Sequence, residues 1–67
     1  MAVIKTIDLV GVSTVSWEDA AQRALSEATQ TLRNVEGLTV IESSAVVAED
    51  RITEYHTQVR IRFRIVR

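Results

Sequence analysis

The chain has no cysteine, no proline and only two glycines in 67 residues. Without cysteine there can be no disulfide framework and no thiolate zinc site. The lack of thiols fits a cytoplasmic protein. One histidine, His56, is too few for a His-rich metal centre. With no proline-rich, Gly/Ser-rich or low-complexity segment there is no linker, so residues 1–67 read as one domain. No apolar run approaches membrane-span length, and no charged N-terminal region precedes an apolar signal core. A net charge of −1 gives no global pull toward nucleic acid or an anionic membrane.

What is present is a small, apolar chain. Below about 70–80 residues a single core rarely supplies more than roughly 3–5 kcal/mol, so such domains need a disulfide, a metal or a partner copy. Disulfides and Cys- or His-based metal sites are unavailable, and a hydrophobic content of 46% is ample for so short a chain. Oligomerisation is the remaining staple.

The C-terminal stretch Glu54 to Arg67 is the clearest pattern. Tyr55, Val59, Ile61, Phe63 and Ile65 fall on odd positions, and His56, Gln58, Arg60, Arg62 and Arg64 on even ones. A period of two predicts a strand with one apolar and one charged face. Ala2 to Val10 is rich in β-branched residues and predicts another strand, with Val3, Ile7 and Leu9 toward the core and Gly11 to Val15 as a connection. Ser16 predicts a helix N-cap, supported by Glu18 and Asp19 in the first turn. Trp17, Ala20, Ala21, Ala24, Ala28, Leu32 and Val35 then recur at helical spacing, and Asn34 to Gly37 read as the stop, with Gly37 in a left-handed conformation. Trp17 is in phase with this stripe and is expected in the core. Leu38 to Glu49 predicts a strand without clean alternation, consistent with a bulge or two covered faces. Glu49, Asp50 and Arg51 mark the turn into the last strand.

The fold class is therefore α+β: a β-α-β-β chain whose three-stranded antiparallel sheet partly wraps one helix. The last two strands form a hairpin, and the first pairs with the third. The arginine ladder is expected to make cross-strand and intersubunit ion pairs, with Asp8, Glu42 and Glu54 as partners. A ligand phosphate is the competing reading. Nucleic acid is disfavoured because Tyr55 and Phe63 lie on the opposite face from the arginines. His56 reads as a polar surface or interface residue, with ligand contact or pH sensing as alternatives. Glu49, Asp50 and Glu54 are candidate oxygen ligands for a hard cation such as calcium, but no loop with EF-hand spacing surrounds them and an ordinary solvated turn is the favoured reading. Nothing marks an activated nucleophile or an acid/base pair, so no enzyme is expected.

The opening V-I-K-T-I-D-L-V-G-V-S, the helix start S-W-E-D-A-A, the T-L-R-N-V-E near the helix end and the closing E-Y-H-T-Q-V-R-I-R-F-R together resemble the dodecins over nearly the whole chain. The resemblance implies twelve copies forming a hollow, non-enzymatic homododecamer that binds or stores a small ligand, in many members a flavin (riboflavin, FMN or FAD). It places Gly37 where flavin-binding members carry a tryptophan that stacks on the ring. His56 stands where they carry a glutamine that hydrogen-bonds it. Ser44 replaces a basic residue that some members use for phosphate or coenzyme A, while Arg64 is retained. These changes imply weak or lost flavin binding. The alternatives are a flavin-free assembly that binds calcium or another divalent ion at interfaces or symmetry axes, and an assembly that recruits another protein.

Overall fold

The elements follow one another as β1 (Val3–Ser13), α1 (Trp17–Thr31), β2 (Val35–Ala48) and β3 (Arg51–Ile65) in the computed structural model, which describes residues 2–66. The sheet order is β1-β3-β2, with β3 antiparallel to both neighbours. The strand with the most regular alternation is thus the central one. Its odd residues Thr57, Val59 and Ile61 are fully buried, and the Tyr55 and Phe63 rings share their face, away from the arginines. Arg67, the last residue of the expected strand, lies outside the described residues.

Ser16 caps α1 as its sequence predicts, its hydroxyl accepting from the Asp19 N–H at 3.0 Å. Ala20, Ala24 and Ala28 face the sheet and are 5% exposed or less. Alanine has no side chain beyond Cβ, so helix and sheet approach closely. Gly11 takes this furthest. A Cβ there would overlap the Ala20 carbonyl oxygen and stand 2.7 Å from its carbon.

Several expected boundaries shift. β1 runs on through Gly11 to Ser13 because pairing with β3 continues to Ser13↔Tyr55. α1 stops at Thr31; Leu32 is already extended, and its N–H donates to the Ala28 carbonyl at 2.9 Å. Gly37 is not the helix stop. Asn34 takes the left-handed conformation, with φ 60°, and its backbone carbonyl accepts from the Arg64 N–H at 3.0 Å. Asparagine tolerates that region better than most residues. Gly37 lies instead within β2, beside one of three register shifts, between Val35 and Gly37. The others, at Val40/Glu42 and Val46/Val47, explain the broken alternation of this strand. β3 begins at Arg51, directly after Glu49 and Asp50. Both have positive φ, 53° and 63°, as a two-residue hairpin turn of the primed type requires.

The helix covers only part of the sheet. Fifteen residues of α-helix span about 22 Å, whereas fifteen residues of strand span about 50 Å. The chain is correspondingly elongated, 52 × 19 × 12 Å. Among the described residues the buried apolar core is Ala20, Ala24, Ala28, Val59 and Ile61, while Val3, Ile4, Val10, Val12, Val40 and Val47 are among the large apolar residues left exposed.

Candidate functional site

The face of the sheet opposite α1 carries the charged residues. The register aligns Ile4, Thr6, Asp8, Val10 and Val12 of β1 with Arg64, Arg62, Arg60, Gln58 and His56 of β3. On the other side of β3, Gly37 stands opposite Arg62, Glu42 opposite Gln58 and Ser44 opposite His56. Each arginine then meets a different environment. Arg60 grips Asp8 with two bonds, Nε to Oδ1 at 2.9 Å and Nη2 to Oδ2 at 3.0 Å. Arg64 Nε donates to Glu36 Oε2 at 3.0 Å. Arg62 Nη1 donates to the Thr39 hydroxyl at 2.8 Å. Of the carboxylates expected to pair with the ladder, Asp8 does so. Glu54 contacts His56 instead, and the partner of Arg64 is Glu36. The Arg60 bonds hold the Asp8 carboxyl below its ordinary pKa, and Asp8 in turn raises that of Arg60.

The residues singled out from the resemblance fall into two groups. Ser44 and His56 are cross-strand neighbours and line an open concavity of about 190 Å³ with Val10, Glu42 and Gln58. His56 Nε2 lies 3.0 Å from Glu54 Oε1. A carboxylate can only accept, so this nitrogen carries the proton. Gly37 and Arg64 lie at the other end. Arg62, opposite Gly37, is six residues beyond His56, or about 20 Å along the strand. Gly37 also borders an apolar cleft of about 430 Å³ between α1 and the start of β2, lined by Leu25, Thr29, Val35 and Leu38. The two groups cannot hold the same part of one ligand within one chain.

The candidate cation ligands are not assembled within the chain either. Glu49 and Asp50 occupy the exposed tip of the hairpin, whereas Glu54 is turned toward His56. Among the described residues no three His, Asp or Glu side chains are grouped to hold a metal ion.

Trp17 departs from its expected place in the core. It is 40% exposed, because the helix begins at the edge of the contact with the sheet. Its Nε1 donates to the Ser44 carbonyl at 2.8 Å, and its ring meets Tyr55 edge-on at a centroid distance of 4.8 Å. Its own carbonyl accepts from the buried Thr57 hydroxyl at 2.9 Å. Helical phase could not show this, because it assigns a face but not where the helix ends: the sheet continues beyond Trp17, and no earlier turn of helix covers the outer side of its ring.

The β1–α1 corner is a polar network. The nearly buried Ser13 hydroxyl donates to Asp19 Oδ2 at 2.6 Å and accepts from the Val15 N–H at 2.9 Å. Arg23 Nε reaches the same Asp19 oxygen at 2.8 Å. The Ser13 bond first, and Arg23 second, lower the Asp19 pKa. The G-x-S spacing thus has two structural duties: Gly11 admits the helix and Ser13 ties down its first turn.

The family model of the dodecins matches residues 3–66. The chain belongs to the dodecin family. It is 35% identical to the dodecin of Thermus thermophilus over 63 residues, which is 94% of this chain and 91% of that protein. It is 31% identical over 65 residues to the calcium dodecin of Mycobacterium tuberculosis, covering 97% of this chain and 92% of that one. The fold superposes on the crystal structure of an arginine-to-alanine variant of the Thermus thermophilus dodecin with a TM-score of 0.94, 33% identity and full coverage of both chains. The β-α-β-β dodecin architecture read from the sequence is therefore the architecture of the protein. Among the described residues no helix is long and apolar enough to cross a membrane.

Proposed function

We propose that this chain is the single-domain subunit of a non-enzymatic homododecameric shell that binds a small ligand where copies meet. One observation carries the reading. Among the described residues only five apolar side chains are buried in the isolated subunit, while many valines and isoleucines along a 52 Å-long molecule remain exposed. Burying such side chains is worth about 1.5–3 kcal/mol each, so the uncovered surface is the largest source of stability the chain has left. Packing against further copies supplies it. Assembly also brings into reach residues that are about 20 Å apart within one chain, so Ser44–His56 of one copy and Gly37–Arg64 of another can border a common ligand.

Flavin is a weak ligand on this reading. Gly37 offers no ring to stack on, and the loss of an aromatic stack costs about 1–3 kcal/mol by analogy with nucleobases. Phosphate-bearing ligands, coenzyme A among them, retain Arg64. A second reading is favoured by the likeness to a protein named calcium dodecin: a divalent ion held between copies, with Glu49 and Asp50 of neighbouring hairpin tips as ligands. Native mass measurement during titration with FMN, coenzyme A and calcium separates the two. The expected species has twelve subunits and takes up an organic phosphate. Calcium uptake with a rise in melting temperature, and no organic ligand, favours the second reading. A stable folded monomer at micromolar concentration removes both.

A further inference from the structure

Three arginines stand in phase on the open face, and two already have a carboxylate. Asp8 holds Arg60 and Glu36 holds Arg64. Arg62, between them, pairs with no carboxylate among the described residues, and it is less exposed than either neighbour. Of the three it is the one whose charge is left for a group from outside the chain.

Its position is also prepared. A Cβ at residue 37 would overlap Arg62 Nη2 and lie 2.6 Å from Cζ and 3.0 Å from Nε. The guanidinium therefore occupies the space that any side chain at 37 would need. Glycine at 37 and arginine at 62 form a matched pair: the glycine makes the seat, and Thr39 fixes the group by accepting from Nη1 at 2.8 Å. The register brings Thr6, a second hydroxyl, alongside from β1. What results is a pre-oriented planar cation that spends one of its five N–H donors on Thr39. The rest of the fork suits a tetrahedral phosphate, and a guanidinium plane also stacks on aromatic rings.

We infer that Arg62, seated on Gly37, binds the phosphate of an aromatic phosphate monoester taken up on this face. The inference rests on the ligand-binding reading above and names the group that selects the ligand.

Calorimetric titration of the intact assembly tests this with FMN and riboflavin, which differ in the phosphate, and with inorganic pyrophosphate, which has no ring. The unaltered protein is expected to bind FMN at least about tenfold more tightly than riboflavin, since hydrogen bonds to charged groups exceed that factor. Arg62→Gln removes the preference, and Arg62→Lys keeps part of it. Arg51→Gln, which deletes the same charge at the hairpin, leaves it intact. Equal affinity for the two flavins, or an unchanged preference in Arg62→Gln, overturns the inference. So does an Arg62→Gln assembly that falls apart in native mass measurement, because Arg62 then serves a contact between copies. If neither flavin binds, the flavin reading fails by itself. Pyrophosphate binding that weakens about tenfold in Arg62→Gln still sustains the role of Arg62, and absence of pyrophosphate binding ends it.

Discussion

Substituting Gly11 by alanine tests the packing of this fold most sharply. The added methyl group would overlap the Ala20 carbonyl oxygen, stand 2.7 Å from the carbonyl carbon and 3.3 Å from Ala24 Cβ. Carbon atoms pack at about 3.5–4.0 Å, so α1 must lift by roughly 1 Å. The obstacle is helix backbone and cannot swing aside as a side chain can. Lifting the helix loosens Ala20 and Ala24, which form the close contact with the sheet. Overpacking costs about 1–3 kcal/mol, and the intrinsic advantage of alanine over glycine returns about 0.5–1. The net loss is about 2 kcal/mol per subunit at the upper end of that range. For a domain of this size, each kcal/mol lowers the melting temperature by about 4–8 °C, which places Gly11→Ala about 8–16 °C below the unaltered protein. The assay is thermal unfolding followed by circular dichroism at matched protein concentration, because assembly makes the midpoint concentration-dependent. Gly37→Ala is the internal comparison. Its methyl group meets side-chain rather than backbone atoms, so Arg62 can give way by leaving Thr39, and the expected loss is about 1 kcal/mol, smaller than at Gly11. A Gly11→Ala midpoint within about 2 °C of the parent would refute the packing argument.

Other outcomes follow from the same geometry. Asp19 and Asp8 have folded-state pKa values lowered by their hydrogen bonds to Ser13 and Arg60 respectively, so each stabilises the fold fully above the unfolded carboxyl value of about 3.9. That contribution is lost as pH falls through the still lower folded values. Melting temperatures between pH 6 and 2 should therefore fall below about pH 4, and Asp19→Asn should flatten that limb. Thr57→Val removes the second bond to the Trp17 carbonyl, which keeps its helical partner in α1, at nearly constant shape, a loss of about 1 kcal/mol in chemical unfolding. Gly37→Trp alone must displace Arg62, whereas Gly37→Trp combined with Arg62→Gly frees the space. Flavin fluorescence titration should find the double variant binding riboflavin more tightly than either the parent or the single variant, and the reverse order counts against the placement of the ring site.

The sequence by itself determined the order of elements, the central strand with its two faces and the Ser16 cap. Each of these rests on local chemistry or on periodicity, and both can be counted along the chain. It could not determine what spans the sheet. The bulge beside Gly37 changes the register of β2 against β3, so a glycine resembling a helix stop becomes the floor beneath Arg62. Trp17 kept its helical phase and still lay outside the core, since the helix is less than half as long as the sheet it packs on. The ladder looked uniform in the sequence, yet Arg60, Arg62 and Arg64 differ completely once Asp8, Thr39 and Glu36 are brought beside them. Periodicity assigns a face to each side chain. Which neighbour stands there depends on long-range register, and that is fixed only when the strands have paired.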